Sequence, residues 1–174
     1  MKKIWNAALA MALILAGATA LTSCDDDDDK PNGGDISEII GTYNGGITAK
    51  VKPPMGDEIN CTIEGTYDVS ITRQQGDDDE VTVVIPAVSY STEQMQQAET
   101  IPQLVIKDVD VDRTGHHADK YIIEEDDFAV TVDGVAYEGY LYGTVTGTSA
   151  NIEYQITPGK MPMPINFNFT GTRK

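Results

Sequence analysis

The sequence has little of the chemistry that most enzymes use. Among its 174 residues there are two cysteines and two histidines, and the only Trp is Trp5, close to the N-terminus. No Ser–His–Asp order, pair of facing carboxylates or phosphate-binding loop can be argued from the residues that are present. The sequence therefore predicts a protein that is not an enzyme and that uses no cofactor.

Basic residues are also scarce. Lys and Arg number 12 against 28 Asp and Glu, which gives a formal net charge of -16. Nucleic acids and anionic lipid surfaces are negatively charged, so a chain of this charge is repelled from both. The composition predicts no nucleic-acid partner and no peripheral binding to anionic lipid, and it suits an extracytoplasmic domain.

The first 23 residues have the parts of a secretory signal. Lys2 and Lys3 carry positive charge, and an uncharged stretch follows them. Its strongly apolar part, from Ala7 to Leu21, is too short for a membrane-spanning helix of about 20 apolar residues. It ends in Leu21-Thr22-Ser23-Cys24, which resembles the lipobox of bacterial lipoproteins. This resemblance implies cleavage before Cys24 and attachment of acyl chains such as palmitate to it, which would anchor the protein in a membrane. The alternative is an ordinary cleaved signal with a chance cysteine.

An acidic run follows Cys24. Asp25 to Asp29 are five adjacent carboxylates that repel one another, so residues 24–37 are predicted to form a solvated, flexible tether. The run resembles a surface-export signal of Gram-negative lipoproteins, which implies an outer-membrane anchor and a domain facing the cell surface. The alternative resemblance is to an inner-membrane retention signal. The predicted organisation is a cleaved signal peptide at 1–23, the tether, and one domain at 38–174.

The domain sequence alternates between apolar and polar residues and shows almost no helical periodicity. The alternation predicts an all-β fold with eight or nine antiparallel strands in up-and-down order, which can close into a barrel without exposed edges. A single short helix is predicted near 92–99, because Ser91-Thr92-Glu93-Gln94 resembles a capping box. Four local features are also predicted: one long strand over Ile59–Arg73, separate strands over Tyr121–Glu124 and Phe128–Val132, a bulge at Lys107, and a hairpin turn at Asp133-Gly134.

Short motifs at both ends of this domain resemble a known family. Gly41-Thr42-Tyr43-Asn44-Gly45 opens the domain, Phe167 to Lys174 closes it, and Gly143-Thr144-Val145-Thr146-Gly147-Thr148 lies between them. Together they resemble the calycin-like β-barrel domain of Gram-negative lipoproteins. The resemblance implies a lipocalin-like barrel of eight strands and carries over no catalytic residue. The lipocalin motif Gly-x-Trp is absent, since position 43 is Tyr.

Tyrosine is the candidate for ligand binding. The chain has eight Tyr against three Phe, and Tyr137, Tyr140 and Tyr142 lie in one predicted strand, the first on one face and the other two on the opposite face. Such rings can stack on sugars or on apolar ligands, and they can equally be ordinary barrel packing. The mouth of the barrel is the expected place for a small apolar or glycan-like ligand.

Acidic residues offer a metal site. Asp108, Asp110 and Asp112, with Asp119 at the twelfth place, resemble a calcium-binding loop, but Arg113 occupies the position that requires glycine. The alternative is a solvated strand face. His116 and His117, with Asp112 or Asp119, are a weaker candidate for a transition metal.

Cys61 is the only cysteine after Cys24, so the domain is predicted to have no internal disulfide. It lies on the apolar side of an alternating strand and is expected to be a buried, unreactive thiol. The sequence favours two functions over a third, that of an enzyme or enzyme inhibitor. One is a lipid-anchored protein that binds a small ligand in its barrel, and the other is a filled barrel whose outer wall contacts an envelope or host protein.

Overall fold

The structure, a computed structural model, describes residues 35–77, 79–113, 120–159 and 163–174. Cys24 and the acidic run therefore lie outside the described residues. A 3₁₀ turn at Ile36–Glu38 precedes eleven strands: β1 Gly41–Val51, β2 Ile59–Asn60, β3 Tyr67–Arg73, β4 Glu80–Ile85, β5 Val88–Tyr90, β6 Glu99–Ile101, β7 Leu104–Arg113, β8 Lys120–Val132, β9 Val135–Thr146, β10 Ser149–Pro158 and β11 Ile165–Arg173. Within these ranges no helix is long and apolar enough to cross a membrane.

Eight of the strands form a closed antiparallel barrel. The order runs β1, β3, β4, β7, β8, β9, β10, β11, and β11 pairs back onto β1 from Tyr43 opposite Arg173 to Val51 opposite Ile165. The two-residue strand β2 pairs with the last residues of β1, and β5 and β6 form a separate small hairpin. The prediction of an all-β, up-and-down barrel is confirmed.

Side chains fill the interior of the barrel. Alternate residues of each long strand point inward, and the largest of them are at most 1% exposed: Tyr43, Tyr121, Ile123, Leu141, Tyr154 and Phe169. The rings of Tyr154 and Phe167 stack with centroids 4.9 Å apart. An eight-stranded barrel has an interior just wide enough for side chains to fill, and this one uses it for its core.

The 3₁₀ turn covers the upper end of the barrel, where β1 begins and β11 ends. Asp35 caps the turn by accepting a hydrogen bond from the Ser37 amide at 3.0 Å, and Ile36 is buried. The Tyr43 hydroxyl contacts the carbonyl oxygens of Ile39 (3.0 Å) and Thr146 (2.9 Å). Residues predicted as the end of the tether are thus packed onto the barrel.

Arg173 connects several segments at the same end of the barrel. Its guanidinium donates to the carbonyl oxygens of Glu38 (2.9 Å), Ile40 (2.6 Å) and Gly147 (3.3 Å). These contacts join the 3₁₀ turn, the start of β1 and the β9–β10 turn to the last strand. One side chain therefore supplies donors to three carbonyl groups at the rim of the barrel.

The β5–β6 hairpin lies at the lower end, where the prediction of a helix near 92–99 is wrong. Val88, Tyr90 and Ile101 of the hairpin are buried, and Ser91 bridges to Thr62. The Met95 amide does bond to the Thr92 carbonyl at 3.0 Å, but this makes a single turn. A short helix is stable only when it buries an apolar face, and here residues 93, 94 and 96–98 are exposed.

Other local predictions have mixed outcomes. The single strand predicted over Ile59–Arg73 is wrong, because it is divided into β2 and β3 by a segment in which Gly65 has a φ of 95°. The strands predicted over Tyr121–Glu124 and Phe128–Val132 are one strand, β8, with a bulge between them. The hairpin turn is confirmed, since Asp133 and Gly134 have φ of 50° and 76°.

The barrel wall is interrupted between β7 and β8. These strands pair only where Asp110–Arg113 lie opposite Tyr121–Glu124. Directly below this point the register of each strand shifts, in β7 between Ile106 and Val109 and in β8 between Glu125 and Phe128. The predicted bulge at Lys107 is confirmed, and the two bulges together turn the lower halves of the strands away from each other.

Candidate functional site

The three tyrosines of β9 lie on two different faces. Tyr137 points into the barrel and is 8% exposed, whereas Tyr140 and Tyr142 point outward and are 41% and 43% exposed. The predicted division of these residues between two faces is therefore correct. They do not form one binding site, and only Tyr140 and Tyr142 offer their rings to a ligand.

Polar side chains continue from these two rings across the neighbouring strands. Tyr142 of β9 is paired with Glu153 of β10, which is paired in turn with Asn168 of β11. In the same way, Tyr140 is paired with Gln155, and Gln155 with Asn166. Residues that are paired across neighbouring strands have side chains on the same face of the sheet, close enough to contact one ligand. We call this surface the outer-wall patch: Tyr140, Tyr142, Glu153, Gln155, Asn166 and Asn168.

A groove of about 540 Å³ runs over part of this patch. Tyr140 stands on one side, Asn166 and Asn168 lie along the middle, and Lys50 and Glu58 lie on the far side. The Lys50 ammonium and the Glu58 carboxylate form an exposed ion pair at 3.2 Å. The volume falls within the roughly 300–1,000 Å³ of small-ligand sites.

The amide side chains of the patch are held in place by one another. Gln155 donates to Asn166 at 2.8 Å, and Asn168 donates to Glu153 at 3.4 Å. Each amide has two N–H donors and one carbonyl acceptor, so one such bond leaves further donors and acceptors directed at the surface. The patch therefore combines oriented hydrogen-bonding groups with two exposed aromatic rings.

This combination suits a sugar better than a purely apolar ligand. A pyranose ring has apolar C–H faces that stack on an aromatic ring, and hydroxyl groups at its edge that exchange hydrogen bonds with amides and carboxylates. An apolar ligand would remove water from the remaining donors and acceptors of Asn166 and Asn168 without replacing their hydrogen bonds, which costs free energy.

Cys61 borders the groove without offering reactive chemistry. The thiol is half-buried, and burial raises its pKa above the ordinary value. A protonated thiol is a poor nucleophile and a poor metal ligand. The expectation that Cys61 is fully buried is therefore wrong, whereas the raised pKa agrees with the expectation of an unreactive thiol.

The acidic metal candidates do not come together as a cluster in the described part of the chain. Asp108 sits in the β7 bulge with a φ of 57° and accepts a hydrogen bond from the Gln74 amide. Across residues 35–77, 79–113, 120–159 and 163–174, no group of three or more His, Cys, Asp or Glu side chains is placed to hold a metal ion. Asp110 and Asp112 lie on β7, while Asp119, His116 and His117 lie outside the described residues.

Sequence reasoning found the rings but missed their partners. The polar partners lie on β10 and β11, which become neighbours of β9 only when the barrel forms. The proximity of Glu153, Asn166 and Asn168 to Tyr140 therefore cannot be recognised from their positions in the sequence. The available signal was the composition of the outward positions in β11, which are Asn and Thr where Lys or Glu would be usual on a solvated face.

Comparison with known proteins agrees with this architecture. The family model of the calycin-like β-barrel domain matches residues 39–172. A crystal structure from Bacteroides fragilis, of a protein named "putative outer membrane protein", is similar with a TM-score of 0.54 and 24% identity. The match covers 78% of this chain and 51% of that one, so this chain spans about half the length of its structural neighbour. No curated protein matches. With its closed eight-stranded barrel and a family match over most of its length, the chain belongs to the calycin-like β-barrel domain family.

Proposed function

We propose that this protein is a non-catalytic, lipid-anchored envelope protein that binds a glycan-like ligand on the outer wall of its barrel. The observation that carries the proposal is the exposure of Tyr140 and Tyr142 next to a surface of oriented amides. The filled interior supports the outer wall as the binding surface, because a ligand inside would have to displace core side chains such as Tyr154 and Phe169.

The charge of the chain narrows the class of glycan. Glu58 and Glu153 border the groove, and the whole chain carries a formal net charge of -16. Sulfated and uronic-acid polysaccharides would be repelled by this field. A neutral polysaccharide is therefore the ligand class that we propose.

The proposed location rests on the sequence. The lipobox-like Leu21-Thr22-Ser23-Cys24 and the acidic run after it support an outer-membrane anchor that faces the cell surface. The name of the structural neighbour, "putative outer membrane protein", is in line with this location.

Removing both rings should weaken glycan binding. We expect the double variant Tyr140→Ala, Tyr142→Ala to bind neutral polysaccharides about five- to 150-fold more weakly, because each stacked ring contributes about 0.5–1.5 kcal/mol. The measurement is affinity electrophoresis of the full chain through gels that contain a neutral α-glucan, β-glucan or mannan, followed by calorimetry on the best of them.

The matched control keeps the rings and removes only the hydroxyls. Tyr140→Phe, Tyr142→Phe should stay within about threefold of the parent, since stacking is retained. Met55→Ala, at an exposed position outside the patch, should have no effect. Undiminished binding by the double alanine variant would overturn the proposal.

A separate prediction concerns the anchor. Cys24→Ala removes the sulfur that would carry the lipid, so the protein should appear as a soluble or unprocessed form and leave the detergent phase in a Triton X-114 separation. A Ser23→Ala variant should still be anchored. If the Cys24→Ala protein partitions into detergent to the same extent as the parent, it is not a lipoprotein.

A further inference from the structure

The interruption between β7 and β8 leaves two strand edges without partners across the barrel wall. Leu104–Val109 of β7 pair only with β4, and Glu125–Val132 of β8 pair only with β9. Among the described residues, no backbone hydrogen bond crosses between these two stretches. Every second N–H and C=O of each edge therefore points into the gap.

The gap is an open cleft of about 570 Å³. Ile106 and Phe128, which are buried core residues, form part of its lining, and Val105 on the outer side is 39% exposed. A free strand edge next to apolar side chains is what another strand needs for pairing, because the ladder supplies hydrogen bonds and alternate side chains find apolar contacts.

The charges around the cleft restrict what can occupy it. Three acidic residues, Asp108, Glu125 and Asp127, line the cleft together with a single base, Lys107. A second copy of this chain, which carries the same net charge of -16, would be repelled, and so would the chain's own run of Asp25 to Asp29. A small ligand could fill the volume but would leave most of the N–H and C=O groups along two edges unpaired.

We propose that the β7–β8 cleft takes up an extended, basic segment of a partner protein as an additional strand. The segment completes the ladder between β7 and β8, places alternate apolar side chains toward Ile106 and Phe128, and directs its Lys or Arg side chains toward Glu125 and Asp127. This site is separate from the outer-wall patch and does not depend on glycan binding.

The test uses the full chain and synthetic peptides of about eight residues, long enough to span the β7 edge. The probe is an acetylated, amidated peptide that alternates Val and Lys. One control has the same composition with N-methyl groups on alternate residues, which removes the N–H donors of one edge, and a second control replaces Lys with Glu. Binding is measured by calorimetry, and its position by hydrogen exchange with mass spectrometry.

We expect the Val–Lys peptide to bind saturably and to slow hydrogen exchange in 104–109 and 125–132. The N-methylated peptide should bind at least about tenfold more weakly and the Glu peptide should not bind. Equal binding of the N-methylated peptide, protection elsewhere, or no binding at millimolar peptide would each overturn the proposal. So would concentration-dependent dimerisation that protects the same edges, since it would identify a second copy as the occupant.

Variants inside and outside the β7–β8 cleft test whether the peptide binds there. Glu125→Gln with Asp127→Asn should weaken peptide binding about tenfold. The Glu125 carboxylate accepts from the backbone N–H of Asp127 at 3.2 Å, and the amide oxygen that replaces it can accept the same bond. Asp133→Asn removes a charge in the nearby β8–β9 turn and should leave peptide binding unchanged. The Tyr140→Ala, Tyr142→Ala variant should also bind the peptide normally, and loss of peptide binding in that variant would contradict a separate site.

Discussion

Gly45→Ala should cost about 3 kcal/mol or more of the free energy of unfolding, a large share of the roughly 5–15 kcal/mol that such a domain has. Gly45 lies opposite Gly171 where β1 and β11 close the barrel. A Cβ added at Gly45 would overlap the Thr170 carbonyl oxygen and the Gly171 Cα atom, both of them backbone. Backbone atoms cannot rotate away, so the closing ladder would have to separate locally.

The next residue provides the matched control. A Cβ at Gly46 meets no atom of the described residues within 4 Å, and Gly46 is exposed in the same strand. Gly46→Ala should change stability by less than about 1 kcal/mol, with a stabilising sign, because alanine restricts the unfolded chain. Urea unfolding of the two variants is the measurement. Equal stability of the two would show that β1 and β11 do not approach each other this closely.

Two buried tyrosines should respond in opposite directions to loss of the hydroxyl. Tyr43→Phe should lower stability by about 1–2 kcal/mol, because the hydroxyl bonds to the carbonyl oxygens of Ile39 and Thr146 at the upper end of the barrel. The Tyr154 hydroxyl is fully buried and has no hydrogen-bond partner among the residues that the structure describes. Burial raises its pKa, so it remains a neutral O–H, and Tyr154→Phe should stabilise the protein by about 1 kcal/mol.

The two substitutions remove the same atom from the same residue type, so their difference of about 2–3 kcal/mol isolates the hydrogen bonds from the ring packing. Chemical denaturation at neutral pH measures it directly. Destabilisation of similar size by both variants would mean that the Tyr154 hydroxyl has a partner and that the lower core is packed differently.

The barrel could be predicted from the sequence because its signals are local. Ile165, Phe167 and Phe169 alternate with Asn and Thr within β11, and such a strand can bury only one face. The turn at Asp133-Gly134 likewise requires a positive φ that these residues tolerate. Both signals lie within a few residues of the chain and do not depend on distant contacts.

The helix near 92–99 was predicted wrongly because a capping box favours a helix start but does not by itself make a helix stable. The pairing of Val88–Tyr90 with Glu99–Ile101 fixes both ends of this segment, so tertiary contacts decide its conformation. The division of Ile59–Arg73 into two strands follows from the same cause, since the chain crosses the lower end of the barrel there and bridges to Ser91.

Only part of the candidate site could be predicted from the sequence. The alternation in β9 separates Tyr137 from Tyr140 and Tyr142, and the structure agrees. It could not reveal whether the interior is open, because an inward tyrosine looks the same in a lined lumen and in a packed core. The sequence pattern also could not predict that Asn166 and Glu153 lie beside the rings, because that proximity depends on the register of β9, β10 and β11.

The most direct test is an NMR titration of the isotope-labelled chain with the neutral oligosaccharide that corresponds to the best-binding polysaccharide. We expect shifts in the amides and side chains of the outer-wall patch, including Tyr140, Asn166 and Asn168, while the methyl groups of Ile123 and Leu141 inside the barrel stay unchanged. Large shifts of these interior methyl groups, with the patch unaffected, would show that the ligand enters the barrel and would contradict binding at the outer wall.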